Sequence, residues 1–390
     1  MGTPGVEILL DMEECAAHMA RLVRAARSSI YYSEFVSQLH APLPGMPAVT
    51  LATLLTSAIE RGVAVHMFVN PTEQYGNSMR ELSSVKGLNV CLVKSDGYIP
   101  APFNRVFGER YTNHHQKFLV VDDAFIMIGG VGVHPCRAGW LVLNTERVPY
   151  YWHEVGIVMP CSADMAAWVH ARWHGDYARP LPVPFLSGES EHQITLAMIQ
   201  SARTCIHMEA QLCISTPSTH NQVLSTVVDR VTRAYTTPED NFRFMLLVNT
   251  YQPDEHPLVS MATTVTLHWS RRMMMARALA NGVPESFMSE RVIVGTLEHQ
   301  GVHIKVHSNL VIQDGHTMLR SSSNLTDRSL SSTPCDNELG VVVRGEAVAE
   351  AQQALWARYF GREGSWYPPE AFQLMAEESG CVRAVRYHKD

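Results

Sequence analysis

Two segments of the chain place a histidine ahead of a short apolar run that ends in an aspartate. In the first, NHHQKFLVVDD, the histidine is His115 and the aspartate is Asp122. In the second, KVHSNLVIQD, they are His307 and Asp314. An imidazole can act at neutral pH as a nucleophile or as a general acid or base. The two segments therefore supply the pair of imidazoles that a two-step displacement reaction needs.

The position two residues after each histidine differs between the segments, with Lys117 in the first and Asn309 in the second. On an extended strand, residues i and i+2 share a face, so His115 and Lys117 are expected to point the same way. Burying an ammonium group without a partner is costly, and an anion held between the two side chains would offset that cost. The first segment therefore predicts a site for an anion.

Asn309 is expected to weaken the second segment. An amide can donate a hydrogen bond to an anion, but it carries no charge and reaches less far than Lys. Losing that charge in a dry site would cost on the order of 2–4 kcal/mol in a transition state. Lys305 is a candidate substitute, because on a continuous strand it would share the face of His307 and Asn309.

The elements that position these residues recur along the chain with a period of about 180–190 residues. Four landmarks appear twice in the same order: a helix running into a strand, an amphipathic helix before an apolar strand, the histidine segment, and a glutamate-containing strand followed by a helix. In the last pair, WHEVGIVM and DNELGVVV, Glu154 aligns with Glu338. This order predicts a duplicated α/β unit.

Strands that alternate with helices favour a mixed sheet with helices on its faces. We expect two such α/β sandwich units, related by a pseudo-two-fold axis, with the active site at their interface. The first unit is expected to span residues 1–177 and the second residues 191–390. Residues 178–190, ARPLPVPFLSGES, carry three prolines and a glycine and are predicted to be a linker.

The composition is that of a soluble globular protein, with 46% hydrophobic and 18% charged residues. The net charge of −7 argues against a chain that coats nucleic acid, although a local basic cleft stays open. The sequence has no apolar run of about 18 residues and no secretory signal, so a cytoplasmic or peripherally membrane-associated location is expected. Eight cysteines without CxxC spacing favour free thiols, and the lack of HExxH gives no indication of a metal.

Three apolar or histidine-containing features are expected to be structural. His114 should face away from His115 and stabilise the fold. Trp269 and Met273–Met275 are expected to pack a helix into the core rather than to contact lipid. The apolar loop Pro135–Tyr151 is expected to pack in the core, with a lip over the active site or a lipid contact as the alternative.

The combined motifs resemble those of the phospholipase D superfamily and its HxKxxxxD segments. NHHQKFLVVDD in the first half, and VHSNLVIQDG followed by SSSNLTDRSL and DNELGVVV in the second, look most like the eukaryotic-type phospholipase D catalytic core. The likeness runs over roughly residues 10–362. It implies the two-unit fold expected above and a phosphodiesterase that acts through a phosphohistidine intermediate, with no metal or other cofactor.

The resemblance also implies a role for each matching residue. His115 would attack phosphorus, and His307 would protonate the leaving alcohol and then deprotonate the incoming water or alcohol. The remaining positions fall into three groups: Lys117, Ser322 and Asn324 would hold phosphate oxygens, Glu154 and Glu338 would orient the imidazoles, and Asp122 and Asp314 would hold local structure.

Two positions depart from the family pattern. After the first aspartate many members have GSxN, whereas this chain has Gly129-Gly130-Val131-Gly132, a glycine pair that also occurs in eukaryotic-type members. The second departure is Asn309, which stands where the second motif has Lys.

Three functions stay open on these residues. The first, favoured by the motifs and the acidic pI of about 6.2, is hydrolysis or transfer of a phospholipid head group at a membrane surface, with water or an alcohol as acceptor. The second is a nuclease of the same superfamily, and nucleic acid is the less favoured partner. The third is an impaired relative, natural or engineered, that binds phosphate or phospholipid. The head group and the oligomeric state are not indicated.

Overall fold

The computed structural model describes residues 5–35, 38–70, 79–93, 114–132, 140–143, 146–149, 152–213, 222–249, 257–299, 302–331, 336–360 and 383–386. The helices in these ranges are α1 (Met12–Ala25), α2 (Leu51–Glu60), α3 (Met79–Ser83), α4 (Ala163–Trp173), α5 (Gly188–Ser201), α6 (Val223–Thr236), α7 (Pro257–Ala280), α8 (Glu285–Arg291) and α9 (Glu346–Phe360).

The strands of the first half are β1 (Glu7–Leu10), β2 (Ser29–Glu34), β3 (Pro42–Leu43), β4 (Met46–Thr50), β5 (Ala64–Val69), β6 (Asn89–Leu92), β7 (Phe118–Val121), β8 (Phe125–Ile128), β9 (Trp140–Leu143), β10 (Glu146–Pro149), β11 (Trp152–His153) and β12 (Val155–Pro160). Those of the second half are β13 (Phe185–Leu186), β14 (Cys205–Ala210), β15 (Arg243–Val248), β16 (Val292–His299), β17 (Val302–Val306), β18 (Leu310–Gln313), β19 (Thr317–Ser321), β20 (Gly340–Arg344) and β21 (Arg383–Arg386).

Two mixed sheets repeat one topology. The first sheet has the order β6-β5-β2-β7-β8-β12-β1, and the second contains the matching order β16-β15-β14-β18-β19-β20-β13. In each, the first three strands are parallel and the remaining pairs are antiparallel. Strands β17, β11 and β21 extend the second sheet on the side of β16. The predicted mixed α/β class and its duplication are confirmed, and the pseudo-two-fold axis stays a prediction.

A central apolar core joins the two sheets. It contains Phe118 of the first sheet and Leu310 of the second, together with Trp168 of α4 and Trp356 of α9. Separate clusters cover the outer faces, between the first sheet and α1 and α2, and between the second sheet and α5, α6 and α7. Burial of each large apolar side chain contributes about 1.5–3 kcal/mol. Because both sheets supply the central core, neither half could bury its inner face alone.

The polar N-termini of two helices explain where they begin. Thr50 precedes α2 and accepts a hydrogen bond from the backbone N–H of Thr53, and Ser162 does the same for Met165 at the start of α4. Such caps satisfy backbone donors that have no partner within the helix. They fix the helices that follow β4 and β12.

Several expectations about segments can now be compared with the structure. Residues 178–190, predicted to be a linker, contain β13, which pairs with β20, and the first residues of α5. The expected core packing is wrong for Trp269 and Met273, which are 46% and 39% exposed, and right for Met274. The loop Pro135–Tyr151 lies outside the described residues apart from β9 and β10, which pair with each other.

Candidate active site

His115 and His307 lie just ahead of β7 and β18, and each imidazole meets a carboxylate from the other half of the chain. The Nδ1 atom of His115 is 2.8 Å from Oε2 of Glu338, and Nδ1 of His307 is 2.6 Å from Oε2 of Glu154. The four side chains are buried. The sequence aligned the two glutamates with each other, but it did not show that each one contacts the histidine of the opposite half.

Backbone hydrogen bonds join the two halves in the same reciprocal way. The N–H of His115 donates to the carbonyl of Asn337 at 3.0 Å, and the N–H of His307 donates to the carbonyl of His153 at 2.9 Å. Asn337 and His153 are the residues immediately before the two glutamates. Each histidine is therefore tied by main chain and side chain to the same short segment of the opposite half.

Lys117 lies against the free edge of the His115 ring, as its spacing predicted. Its Nζ is 3.0 Å from Nε2 of His115, and the side chain is only 4% exposed. Burial lowers the pKa of Lys117, an effect opposed by the carboxylates of Glu34 and Glu338. Because a carboxylate only accepts hydrogen bonds, the contact with Glu338 assigns the ring proton to Nδ1 and leaves the Nε2 lone pair facing Lys117.

Glu338 is an ionised carboxylate surrounded by donors. Burial alone would raise its pKa, but His115, Lys117 and the hydroxyl of Ser322 hold it at about 2. The hydroxyl of Ser322 donates to Oε2 at 2.5 Å, and that of Ser329 donates to Oε1 at 2.7 Å. These bonds fix the carboxylate that orients His115.

Glu154 has a different partner, the buried guanidinium of Arg320. Its Nη2 donates to Oε1 of Glu154 at 2.5 Å, and its Nε donates to the carbonyl of Val155 at 2.5 Å. Arg320 lies in β19 at the position that Ile128 occupies in β8 of the first half. The sequence reasoning missed it, although aligning MIGG with LRSS would have revealed a charged residue in an apolar strand.

The glycine pair after β8 has a local cause. A Cβ on Gly129 would lie 2.5 Å from the guanidinium of Arg320, and one on Gly130 would lie 2.5 Å from Sγ of Cys15. Both glycines also have positive φ, 75° and 63°. Gly129, which matches the Gly of GSxN, makes room for the guanidinium that holds Glu154, whereas Gly130, which replaces the Ser, makes room for Cys15.

Asp122 and Asp314 end their segments in the same way. The carboxylate of Asp122 accepts backbone N–H bonds from residues 27–29, and that of Asp314 accepts them from residues 203–205, at 2.7–3.1 Å. Burial would raise the pKa of Asp122, but these bonds hold it below its usual value. Each aspartate thus ties the end of the histidine segment to the start of β2 or β14.

Asn309 is bound to the backbone on both sides of its amide. Its Oδ1 accepts from the N–H of Gln211 at 2.8 Å, and its Nδ2 donates to the carbonyl of Ser322 at 3.2 Å. Its φ is 41°, a left-handed conformation that Asn adopts more readily than most residues. The side chain therefore fixes the turn between His307 and β18.

A shared face of Lys305, His307 and Asn309 requires a continuous strand, and the backbone is not continuous strand over these residues. Strand β17 ends at Val306, and the left-handed backbone at Asn309 breaks the alternation. Lys305 itself is buried in β17 opposite Trp152. Its role as a substitute charge stays a prediction.

Ser322 and Asn324, predicted to hold phosphate, both have partners within the protein. The hydroxyl proton of Ser322 is donated to Glu338, and its oxygen accepts from the N–H of Leu339 at 3.0 Å. The Oδ1 of Asn324 accepts from the N–H of Leu212 at 3.1 Å. Their contact with substrate stays a prediction, whereas their support of the local backbone is a structural fact.

His114 is buried, as expected for a structural residue. Its Nε2 lies 2.7 Å from Oγ of Ser33, and its backbone pairs with that of Asn337. Burial lowers its pKa to about 3, with a further effect from Arg172. The ring is therefore neutral at physiological pH.

Asn249 is a further residue that the sequence reasoning missed. Its amide donates to the carbonyls of Gln211 and Val306 and accepts from the N–H of Val306, all within 3.0 Å. It thereby fixes the residue just before His307. Asn70 has the same place after β5, and the repeated VNP and VNT sequences were the signal that would have identified both.

A buried charged network adjoins the site. His153 lies 2.9 Å from Glu209 and 3.3 Å from Asp11, and the hydroxyl groups of Ser308 and Tyr359 also donate to Glu209. Burial would lower the pKa of His153, but Glu209 and Asp11 raise it to about 10. His153 immediately precedes Glu154, and Ser308 immediately follows His307. The network therefore stabilises the backbone next to both members of the Glu154–His307 pair.

Comparisons with known proteins give one relative by sequence and a larger group by structure. The chain is 24% identical over 230 residues to phospholipase D zeta 2 of Arabidopsis thaliana. That match covers 53% of this chain and 21% of the relative, so the chain spans about a fifth of the protein it matches. No protein-family model matches the chain.

The structural neighbours share the fold. Phosphatidylserine synthase of Haemophilus influenzae has a TM-score of 0.57 at 12% identity, covering 89% of this chain and 84% of its own. Polyphosphate kinase of Porphyromonas gingivalis has a TM-score of 0.51 at 10% identity, covering 90% of this chain and 46% of its own. Identities this low show the architecture alone.

Proposed function

The chain is related in sequence and fold to the phospholipase D superfamily, and on that premise we propose that it is a phosphodiesterase acting through two histidines. The observation that carries this proposal is the reciprocal arrangement at the interface. Each of two imidazoles is oriented by a buried carboxylate of the opposite half, and Lys117 lies 3.0 Å from the free nitrogen of one of them. Such a site offers a nucleophile, a general acid and a cation for phosphate.

In the first step, Nε2 of His115 attacks phosphorus and forms the P–N bond. The P–O bond to the leaving alcohol breaks, and that oxygen takes a proton from His307. Lys117 holds a phosphate oxygen as negative charge develops. Glu338 stabilises the positive charge that appears on the His115 ring.

In the second step, neutral His307 removes a proton from water or from an alcohol. The resulting oxygen attacks phosphorus, the P–N bond breaks, and the electron pair returns to Nε2 of His115. Hydrolysis and transfer to an alcohol thus differ only in the acceptor. Glu338 and Glu154, each from the opposite half, bind the Nδ1–H of the two rings. The Nε2 atoms are therefore the ones that react in both steps.

The distribution of charge supports His115 as the nucleophile. Glu154 shares its negative charge between His307 and the guanidinium of Arg320. Glu338 has two hydroxyl donors besides His115, and these carry no charge. Lys117, the cation on this side, lies 3.0 Å from Nε2 of His115, where it would hold the phosphate that this nitrogen attacks.

Phospholipid is the substrate class that the relatives favour. The sequence relative is named a phospholipase D and one structural neighbour a phosphatidylserine synthase. The net charge of −7 makes a nucleic acid the less favoured phosphodiester. Loss of the second Lys at Asn309 keeps a third function open, in which the chain binds a phosphate group with little turnover.

The proposal is tested with mixed micelles of phospholipid, with and without added alcohol, and with single-stranded DNA in parallel. Head-group release is expected, and His115→Asn and His307→Asn should each lower it at least about 100-fold. His316→Asn is the matched control, because His316 is exposed in the turn after β18. DNA cleavage without lipid turnover would identify a nuclease, and no turnover of either by a folded chain would identify a phosphate-binding relative.

A further inference from the structure

Helix α7 exposes a row of large apolar side chains. Of the eight such side chains exposed among the described residues, four lie on this helix: Val265 (61%), Trp269 (46%), Met273 (39%) and Leu279 (54%). Isolated exposed apolar residues are ordinary, but several on one element mark an interaction surface.

The four residues lie on one face of α7. At 3.6 residues per turn they fall within an arc of about 120°, with Ala276 and Arg272 between them. The opposite face carries Leu267, Met274 and Ala278, which are buried in the outer core of the second half. Both faces of the helix are therefore apolar, and the fold uses only one.

The sequence of α7 is also basic. Residues 257–280 contain three arginines and a histidine but no Asp or Glu, in a chain whose net charge is −7. Arg272 and His268 are exposed on or beside the apolar face, whereas Arg277 is paired with Asp229 at 2.9 Å. Basic residues combined with Trp and aliphatic side chains are typical of helices that lie in a lipid–water interface.

We propose that the outer face of α7, formed by Val265, Trp269, Arg272, Met273 and Leu279, docks on an anionic phospholipid surface. A second copy of the chain is a poorer occupant, because a symmetric contact would bring Arg272 against its own counterpart. Among the described residues, no helix is long and apolar enough to cross a membrane, so α7 would lie on the surface rather than span it. The inference rests on the proposed function, because docking on phospholipid would bring the chain to its proposed substrate.

The position of α7 connects this surface to the site. The helix follows β15 after residues 250–256, and Asn249 at the end of β15 bonds both backbone groups of Val306, the residue before His307. A membrane bound along α7 would therefore adjoin the same half of the chain that supplies the second histidine.

Vesicle sedimentation tests the proposal without requiring turnover. The chain is mixed with vesicles of phosphatidylcholine alone or with added phosphatidylglycerol. Binding is expected only to the anionic vesicles and should weaken as salt is added. Trp269→Ser with Met273→Ser should weaken binding at least tenfold, and Arg272→Gln should weaken it about fivefold.

Val183→Ser is the matched control, because Val183 is 90% exposed and lies just before β13, at the opposite end of the sheet order from β15 and β16. It should bind as the unaltered chain does. Equal binding by the α7 variants, or no binding by the unaltered chain, would overturn the inference. So would light scattering that shows a dimer dissociated by the same substitutions.

A monomeric short-chain phospholipid separates this inference from the proposed function. Its turnover should be unchanged in the α7 variants, since they lie outside the active site. If the unaltered chain turns over no phospholipid yet binds vesicles through α7, the docking surface stands and the proposed activity falls.

Discussion

The two halves of the site differ most at two residue positions. The first half has Lys117 and Ile128, and the second has Asn309 and Arg320 at the aligned places. At these two aligned positions each half therefore contributes one buried cation, but from different places and to different partners. Arg320 bonds Glu154, whereas Lys117 faces His115.

Asn309→Lys and Arg320→Ile should be coupled. Lys at 309 alone loses two backbone hydrogen bonds, places a non-Asn residue at positive φ and adds a cation beside Arg320. Arg320→Ile alone removes the buried cation beside Glu154 and leaves His307 as the partner of that carboxylate. The double variant restores one cation, so a double-mutant cycle of unfolding free energies should show a favourable coupling of at least about 1 kcal/mol.

Denaturant unfolding of the four proteins measures that coupling. Free energies that add within about 0.5 kcal/mol would mean that the two positions are independent. Turnover measured on the same samples would then show whether Asn309 limits the rate by itself.

At this scale the sequence predicted the groups that we propose to react better than it predicted the residues that support them. The histidines, Lys117 and the two glutamates follow from motifs and from the repeat. The commitments of Ser322 and Asn309 to internal partners do not, because a hydroxyl or amide makes the same hydrogen bonds to protein as to phosphate. Arg320 stands out in the sequence as a charged residue in an apolar strand, but the sequence does not show that its partner is Glu154.

Among the elements, the turns that begin β2 and β14 depend on one aspartate each. Asp122→Asn and Asp314→Asn should each lower the free energy of unfolding by about 1–3 kcal/mol, because they remove charge-assisted bonds from several amides. Since the pKa of Asp122 is lowered in the folded chain, its stabilisation is present above about pH 4 and is lost below it.

Urea unfolding at pH 7 and pH 3 measures both effects. Asp123→Asn is the matched control, since Asp123 is half-exposed and its carboxylate contacts only the ring of His170 among its described hydrogen-bond partners. Unchanged stability together with lost turnover would show that Asp122 acts on substrate instead.

Long periodic elements were predictable and short edge elements were not. Helices and strands of the four landmarks appear where their apolar periodicity placed them. Strand β13, two residues long in a proline-rich segment, gave no periodic signal and is defined by its pairing with β20. Residues 265–279 of α7 look like a core helix in sequence because one face is indeed in the core.

For the whole molecule, the contacts that join the two halves are also the contacts that assemble the site. The network of His153, Glu209, Asp11 and Tyr359 links both halves behind His307, and Arg358 also bonds Asp11. The repeat predicted that two units meet at the site. It could not predict which unit supplies each carboxylate, since aligned residues carry no information about their partners.

This network predicts how stability depends on pH. Because the folded pKa of His153 is raised to about 10, its contribution is complete below about pH 6.5 and is lost as pH rises toward 10. The slope attributable to it approaches about 1.4 kcal/mol per pH unit. Comparing unfolding free energies of the unaltered chain and His153→Asn between pH 7 and 10 isolates it, and parallel curves would refute it.

The most direct test of the central claim is the site of covalent modification during turnover. Reaction mixtures are quenched within milliseconds into alkaline denaturant, which preserves the acid-labile P–N bond, and the peptides are analysed by mass spectrometry. We expect a phosphatidyl group on His115, absent from His115→Asn and unaffected by His316→Asn. An adduct on His307, or turnover without any histidine adduct, would contradict it.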